Sequence, residues 1–274
     1  MLGKILEELR EASPLVHCIT NYVTVNDCAN ILLAAGASPV MADDPDEVEE
    51  ITAISSALVI NIGTLNRQTI PSMLLSGKEA NDLSKPVLLD PVGAGASTLR
   101  TETAKRLIRD VRFTAIRGNI SEIKALAIGA GTTRGVDADD ADAVTSATLD
   151  SVVAFAKSLS KETGAVIAIT GKTDIVADAS SAYLIHNGHP MMARVTGSGC
   201  MLSALTGAFL AAHPERPLDA VAAALCAMGL CGEIAYKRLE AAGGGNATYR
   251  TALIDAVYSL TGAMLDAGAR YDVR

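Results

Sequence analysis

Short apolar runs alternate with helix-length amphipathic segments along most of this chain, and no other feature restricts its fold so strongly. The runs SPVMA (38–42), ALVINIG (57–63), PVLLD (86–90), FTAI (113–116) and AVIAIT (165–170) are too short for helices and are bounded by Gly, Pro, Asp or Asn. Helical patterns lie between them, at 26–35, 46–55, 67–82, 98–110, 121–129 and 139–160. Repeated βαβ units follow, which predicts an α/β fold: a mainly parallel central sheet with helices on both faces. After Thr170 the pattern changes. DIVAD (174–178) and AYLIHNG (182–188) flank a short polar turn and read as an antiparallel hairpin, and three helices near 198–212, 216–240 and 248–267 finish the order. No composition shift or Pro/Ser-rich linker interrupts it, and 129–143 reads as a loop entering a helix, so one domain over 1–274 is expected.

Composition removes several classes of function. The 274 residues carry 31 Asp+Glu against 23 Lys+Arg, net −8, with no basic run, which argues against non-specific nucleic-acid binding. Apolar residues make up 49% and charged residues 20%, so a large core is available and long disorder is not expected. Cys18, Cys28, Cys200, Cys226 and Cys231 form an odd set without a CxxC pair, and the N-terminus MLGKILEELREAS is amphipathic and acidic, unlike a signal peptide. Reduced thiols in a cytoplasmic protein fit this pattern. The most apolar stretches, Met201–Ala212 and Ala220–Gly232, fall short of the ~20 residues a membrane span needs, so no membrane segment is expected. Ala220–Ala235 must be buried nearly all round, in the core or against another subunit. His17, His186, His189 and His213 show no metal-ligand spacing.

In an open parallel sheet, ligands bind beyond the carboxyl ends of the strands, so polar residues that close apolar runs are the first candidates. Asp90 closes KPVLLD and precedes Pro-Val-Gly-Ala-Gly; it either serves a ligand or caps the next helix. Gly93-x-Gly95 is not a dinucleotide fingerprint, because position 98 is Thr98. Asn119 and Glu122 stand on one face of a helix start, where they form a capping box or, with Asp90, organise water around Mg²⁺, and Arg117 offers a phosphate a planar donor. Thr170-Gly171-Lys172-Thr173 resembles the tail of a P-loop, but Val166 occupies the place of the first glycine and a strand follows. The Thr170 hydroxyl is left to donate to a phosphate or to bond within its turn. In Val195-Thr196-Gly197-Ser198-Gly199-Cys200, two glycines lead into an apolar helix, and Gly197 and Gly199 can turn backbone amides toward an anion. Cys200 falls in the first turn of that helix, a place that favours a reactive thiol; the alternative is a buried structural cysteine.

Strand-end Asp90, the Asn119-x-x-Glu122 unit and the late Gly-Ser-Gly-Cys turn together resemble the ribokinase-like superfamily of small-molecule kinases. Pro14–Asn26, Gly36–Asp43 and Leu89–Gly95 are closer still to the hydroxyethylthiazole kinases of thiamine salvage, and the resemblance covers about residues 13–260. It implies ATP-dependent phosphorylation of the primary hydroxyl of 5-(2-hydroxyethyl)-4-methylthiazole with Mg²⁺, in a homotrimer with sites between subunits. It assigns Arg117 and Thr170 to the ATP phosphates, Asp90 and Glu122 to the metal, and Asn21, Met41 and Gly197 to the alcohol. Gly197, Gly199 and Cys200 become the catalytic turn, with Cys200 where many sugar kinases of the superfamily carry an aspartate base. Two neighbouring readings are a hydroxymethylpyrimidine (phosphate) kinase, which shares the Gly-x-Gly-Cys turn, and a catalytically silent nucleotide-binding protein. A cysteine hydrolase would need a base positioned beside Cys200, and no spacing supports one.

Overall fold

The computed structural model describes residues 2–127 and 148–274. Along the chain the elements are α1 (Leu2–Ala12), β1 (Leu15–Ile19), α2 (Val25–Ala35), β2 (Ser38–Val40), α3 (Val48–Ile54), β3 (Ala57–Asn61), α4 (Thr69–Asp82), β4 (Val87–Asp90), α5 (Thr98–Asp110), β5 (Ala115–Asn119) and α6 (Ile120–Ala127). There follow α7 (Leu149–Thr163), β6 (Val166–Thr170), β7 (Asp174–Ala177), β8 (Ala182–Ile185), a 3₁₀ turn at Pro190–Arg194, α8 (Ser198–Ala212), α9 (Pro217–Ala242), α10 (Asn246–Ser259), α11 (Gly262–Gly268) and β9 (Tyr271–Val273).

The strands form one nine-stranded sheet in the order β2-β1-β3-β4-β5-β6-β7-β8-β9. Pairing is parallel from β2 through β6 and antiparallel from β6 through β9, as the change of pattern after Thr170 predicts. Alternation along the strands divides the core into two layers. Val59, Leu88, Ala115, Val166 and Ala168 join the layer holding α1, α2, α8, α9 and α10. Leu58, Ile60, Leu89, Ile116, Ile167 and Ile169 face the layer holding α4, α5, α6 and α7. The side facing α8 and α9 carries smaller residues because the helices come closer there: a Cβ on Gly207 of α8 would lie 2.3 Å from Cγ2 of Val59.

Several expected elements are displaced, and the physical reasons are plain. β1 and α1 are additional to the predicted strands and helices; β1 interrupts its apolar run with His17, which is fully buried because both ring nitrogens have partners. The strand expected at 113–116 runs instead over Ala115–Asn119, since the Arg117 side chain finds partners on α8 and β6. The helix expected at 248–267 is two helices, because Thr261 caps a new start by accepting the Met264 amide. The short edge strand β9 pairs with β8. The loop at 129–143 and the first part of the helix expected at 139–160 lie outside the described residues.

The expected absence of any membrane-length apolar segment needs correction. α9 has 26 residues and a window of mean hydropathy 1.7, long and apolar enough by those measures to cross a bilayer. That window is 72% buried within the protein, between the sheet, α8 and α10, so α9 is a core helix. Its burial within one chain settles the choice between core and subunit contact for Ala220–Cys231, which is covered without any partner.

Candidate active site

Strand register brings the polar strand ends to one edge of the sheet. Asn61 pairs with Asp90 across β3 and β4, and Asn119 pairs with Thr170 across β5 and β6. α8 begins opposite them. Gly197 caps it in the left-handed region at φ 83°, and a Cβ there would lie 2.3 Å from Cγ2 of Thr24, so glycine is required twice over. At Gly199 a Cβ would stand 3.0 Å from both terminal nitrogens of Arg117. The amides of the first turn have no acceptor within the helix, which gives this end its capacity for an anion.

Cys200, half-buried in that turn, receives two side-chain donors on its sulfur. Asn21 Nδ2 lies 3.2 Å and Asn61 Nδ2 3.4 Å from Sγ. Backbone donors fix both amide orientations: Thr24 N–H donates to Asn21 Oδ1 at 3.1 Å, and Gly63 N–H donates to Asn61 Oδ1 at 2.9 Å. Asn21 Nδ2 also donates to Asn61 Oδ1 at 3.1 Å, so the two amides support each other. Cys28 is buried nearby, and burial raises its thiol to about 12, with Cys200 adding to the effect.

Asp90 is fully buried. Its Oδ2 accepts from Asn61 Nδ2 at 2.7 Å and from Ser203 Oγ at 2.7 Å, and Arg117 Nη1 lies 3.5 Å away. Burial raises its carboxyl to about 6 against the opposing pull of Arg117, Ser203 and Asn61. It caps no helix; Ser97 caps α5. Arg117 donates to Gly199 O at 3.2 Å and to Thr170 Oγ1 at 3.1 Å, and Thr170 donates to Gly118 O at 3.3 Å. Thr170 therefore bonds across to Arg117 and Gly118 of β5.

Asn119 and Glu122 form the capping box. Glu122 N–H donates to Asn119 Oδ1 at 2.9 Å, and Asn119 N–H donates to Glu122 Oε2 at 2.8 Å. Glu122 does more than cap, because its Oε1 accepts from Gly93 N–H at 2.9 Å and ties α6 to the loop after β4. For a metal, the informative atom is Asp90 Oδ1, buried without a hydrogen-bond partner. One free carboxylate oxygen, with Glu122 near enough to raise Asp90's carboxyl, fits Mg²⁺ held mainly through water. Among the described residues no group of three or more His, Cys, Asp and Glu offers an all-protein cage.

Two cavities flank the network. A smaller one of about 210 Å³ is lined by Cys18, Thr20, Tyr22, Met41, Asn61 and Thr64 among others. A larger one of about 680 Å³ is lined by Arg117, Thr170, Lys172, Asp174, Ser198 and Gly199 among others. Its lining also includes Met192, Met228 and His189, whose ring stacks on Tyr236 at 3.6 Å between centroids. Met41 thus lies in the smaller cavity, Arg117, Thr170 and Gly199 in the larger, and Asn21 and Cys200 at the network that Asn61 shares with the smaller one. Three residues outside the predicted set belong here. Asn61 closes the run ALVIN, so the strand-end rule that selected Asp90 also selects it. Ser203 sits one turn beyond Gly199 in an apolar helix. Asp174 is half-buried, accepts from Gly171 N–H at 2.8 Å and has its carboxyl raised by desolvation to about 6; nothing local in the sequence marks it.

The family model "Hydroxyethylthiazole kinase family" matches residues 6–263. A hydroxyethylthiazole kinase from Clostridium acetobutylicum is 60% identical over 272 residues, covering 99% of each chain. The solved structure of a hydroxyethylthiazole kinase protein from Pyrococcus horikoshii is 36% identical, with a TM-score of 0.88 over 100% of this chain and 98% of that one. A ribokinase-like superfamily protein from Enterococcus faecalis, 14% identical, shares the fold with a TM-score of 0.61 over 93% of each chain.

Proposed function

The chain belongs to the hydroxyethylthiazole kinase family, and from that premise we propose that the two cavities divide the substrates of its reaction. The reaction is transfer of the γ-phosphoryl group of ATP to the primary hydroxyl of 5-(2-hydroxyethyl)-4-methylthiazole in thiamine salvage. The alcohol occupies the smaller cavity, against Met41 and the Asn21–Asn61 pair. The triphosphate enters the larger one, with Arg117, Thr170 and the Gly197–Gly199 turn around it. One observation carries this division: Asn61, a wall of the smaller cavity, holds the sulfur of Cys200, whose neighbour Gly199 is a wall of the larger.

Phosphoryl transfer depends mainly on positioning and on offsetting charge. Asn21 and Asn61 hold Cys200 beside the attacking hydroxyl. Arg117 offsets negative charge on the phosphates, and the amides of Gly199 and Cys200 receive charge that develops on the transferred group. Asp90 and Glu122 would hold Mg²⁺ through water, and that ion, when bound, neutralises part of the triphosphate. One domain over 1–274 carries these parts. Five free cysteines support a cytoplasmic setting. Tyr22, 78% exposed at the smaller cavity, and Val23, 59% exposed beside it, support a homotrimer in which a second copy covers this mouth. Light scattering on the purified protein tests that: a monomer mass would remove the shared site.

The activity assay supplies ATP and Mg²⁺ with the thiazole alcohol, the aminopyrimidine alcohol and pyridoxal in separate reactions, and measures ADP and phosphorylated product. Turnover on the thiazole alcohol is expected. Preference for the pyrimidine would overturn the assignment of the Met41 cavity and leave the phosphate side standing.

A further inference from the structure

The wall of the smaller cavity that carries Met41 hangs from one edge of the sheet. It continues β2, a three-residue edge strand whose pairing with β1 ends at His17 opposite Val40. The next residues, Met41, Ala42 and Asp43, all line the cavity. Edge strands this short hold a following segment poorly, yet this one must keep the shape of a small cavity.

Two buried side chains from other elements seize consecutive carbonyls of that wall. His17, on β1, bonds through Nε2 to Ala42 O at 2.8 Å, and Ser72, on α4, donates to Asp43 O at 2.6 Å. Both are 0% exposed. A carbonyl only accepts, so His17 carries its proton on Nε2, and Nδ1 accepts from Thr52 Oγ1 at 2.9 Å. Burial lowers the imidazole's pKa, in keeping with this neutral form. His17 is thereby locked between α3 and the cavity wall.

We infer that His17 and Ser72 are positioning residues that fix the Met41–Asp43 wall and so set how tightly the acceptor alcohol is held. The inference rests on the placement of the alcohol in the smaller cavity. Cys200 is held separately, by Asn21 and Asn61, so the pair governs acceptor binding and leaves the transfer step and nucleotide binding alone.

The test compares His17→Ala, His17→Gln, Ser72→Ala and Thr52→Val with the unaltered full chain, by steady-state kinetics and by amide hydrogen exchange at 41–44. A glutamine Nε2 stands as many bonds from Cβ as the histidine Nε2 and keeps the donor to Ala42 O. His17→Ala is expected to raise KM for the thiazole alcohol about tenfold, with kcat and KM for ATP within about twofold. Ser72→Ala and Thr52→Val are expected to raise it about threefold, and His17→Gln to return it near the starting value. Exchange at 41–44 should quicken in His17→Ala and recover in His17→Gln. A loss confined to kcat, equal changes in both KM values, unchanged exchange in His17→Ala, or no rescue by a folded His17→Gln would overturn the clamp. Should His17→Ala fail to fold, Ser72→Ala and Thr52→Val decide the matter by the same measures. If the unaltered protein does not phosphorylate the alcohol, the functional reading falls, and exchange at 41–44 still judges the clamp.

Discussion

The two cavities on either side of the Asn61–Cys200 contact are built from different chemistry. The smaller one is walled largely by neutral polar groups, a thiol and methionines: Thr20, Asn61, Thr64, Asn66, Cys18, Met41 and Met73, with Asp43 as its one charged lining residue. The larger one is lined by the charged Arg117, Lys172 and Asp174, by His186 and His189, and by the apolar Met192, Leu202, Leu225 and Met228. A neutral heteroaromatic alcohol loses little by leaving water for amides and thioethers, whereas a triphosphate needs fixed cations and free backbone donors. On the proposed assignment, polarity alone would separate the two substrates before any catalytic group acts.

Changes on either side of this division sharpen it or break it. The largest effect is expected from Arg117→Ala, which removes the buried cation of the larger cavity, Lys172 being the exposed one, and leaves Asp90 buried beside Asn61 and Ser203. kcat/KM for ATP should fall about a thousandfold and stability by about 3 kcal/mol. Calorimetric affinity for the alcohol should change less than about threefold; an equal weakening of both substrates would show that the cavities are not independent. Next is Cys200→Ala, expected to lower kcat about a hundredfold while ATP affinity, read by calorimetry, survives. An unchanged kcat would take the thiol out of the transfer step.

Asp174→Asn probes the larger cavity through pH. Burial raises this carboxyl from 3.8 to about 6, so the folded state prefers the acid form. The stabilisation is complete below about pH 4 and is lost as pH rises through about 6. The asparagine variant escapes that loss and should gain on the unaltered protein by roughly 2 kcal/mol between pH 4 and pH 7, read from thermal melts. A gap independent of pH would mean that Asp174 does not titrate in this range. The smallest effect belongs to Asn119→Ala, which removes the Oδ1 acceptor of the capping box and should cost about 1 kcal/mol in urea unfolding. A large loss of ATP affinity in that variant would give Asn119 a role at the phosphates.

Much of this arrangement was readable from residues that close apolar runs. Asp90 and Thr170 stand where the parallel-sheet rule places them, the Gly197–Cys200 turn opens α8 as its two glycines suggest, and the capping box at Asn119 and Glu122 formed as its spacing predicts. Asn61 obeys the same rule once β3 ends there, but in the expected run ALVINIG (57–63) it is an interior position. What could not be read locally depends on distant partners. β1 accommodates a buried histidine because Thr52 and Ala42 O satisfy both ring nitrogens, and β5 continues through Arg117 because Gly199 and Thr170 receive it. Asp174 gives no local signal, since its burial comes from the tertiary fold.

The burial of α9 also has a bearing on how the chain is made. Its residues leave the ribosome before α10, and α10 supplies part of their cover through Leu253, Val257 and Tyr249, whose hydroxyl donates to Gly232 O at 2.9 Å. The seventeen residues from Gly243 to Ser259 take roughly 1–3 s to synthesise at ordinary elongation rates. For that interval the apolar surface of α9 that Tyr249, Leu253 and Val257 will cover lacks that part of its final packing.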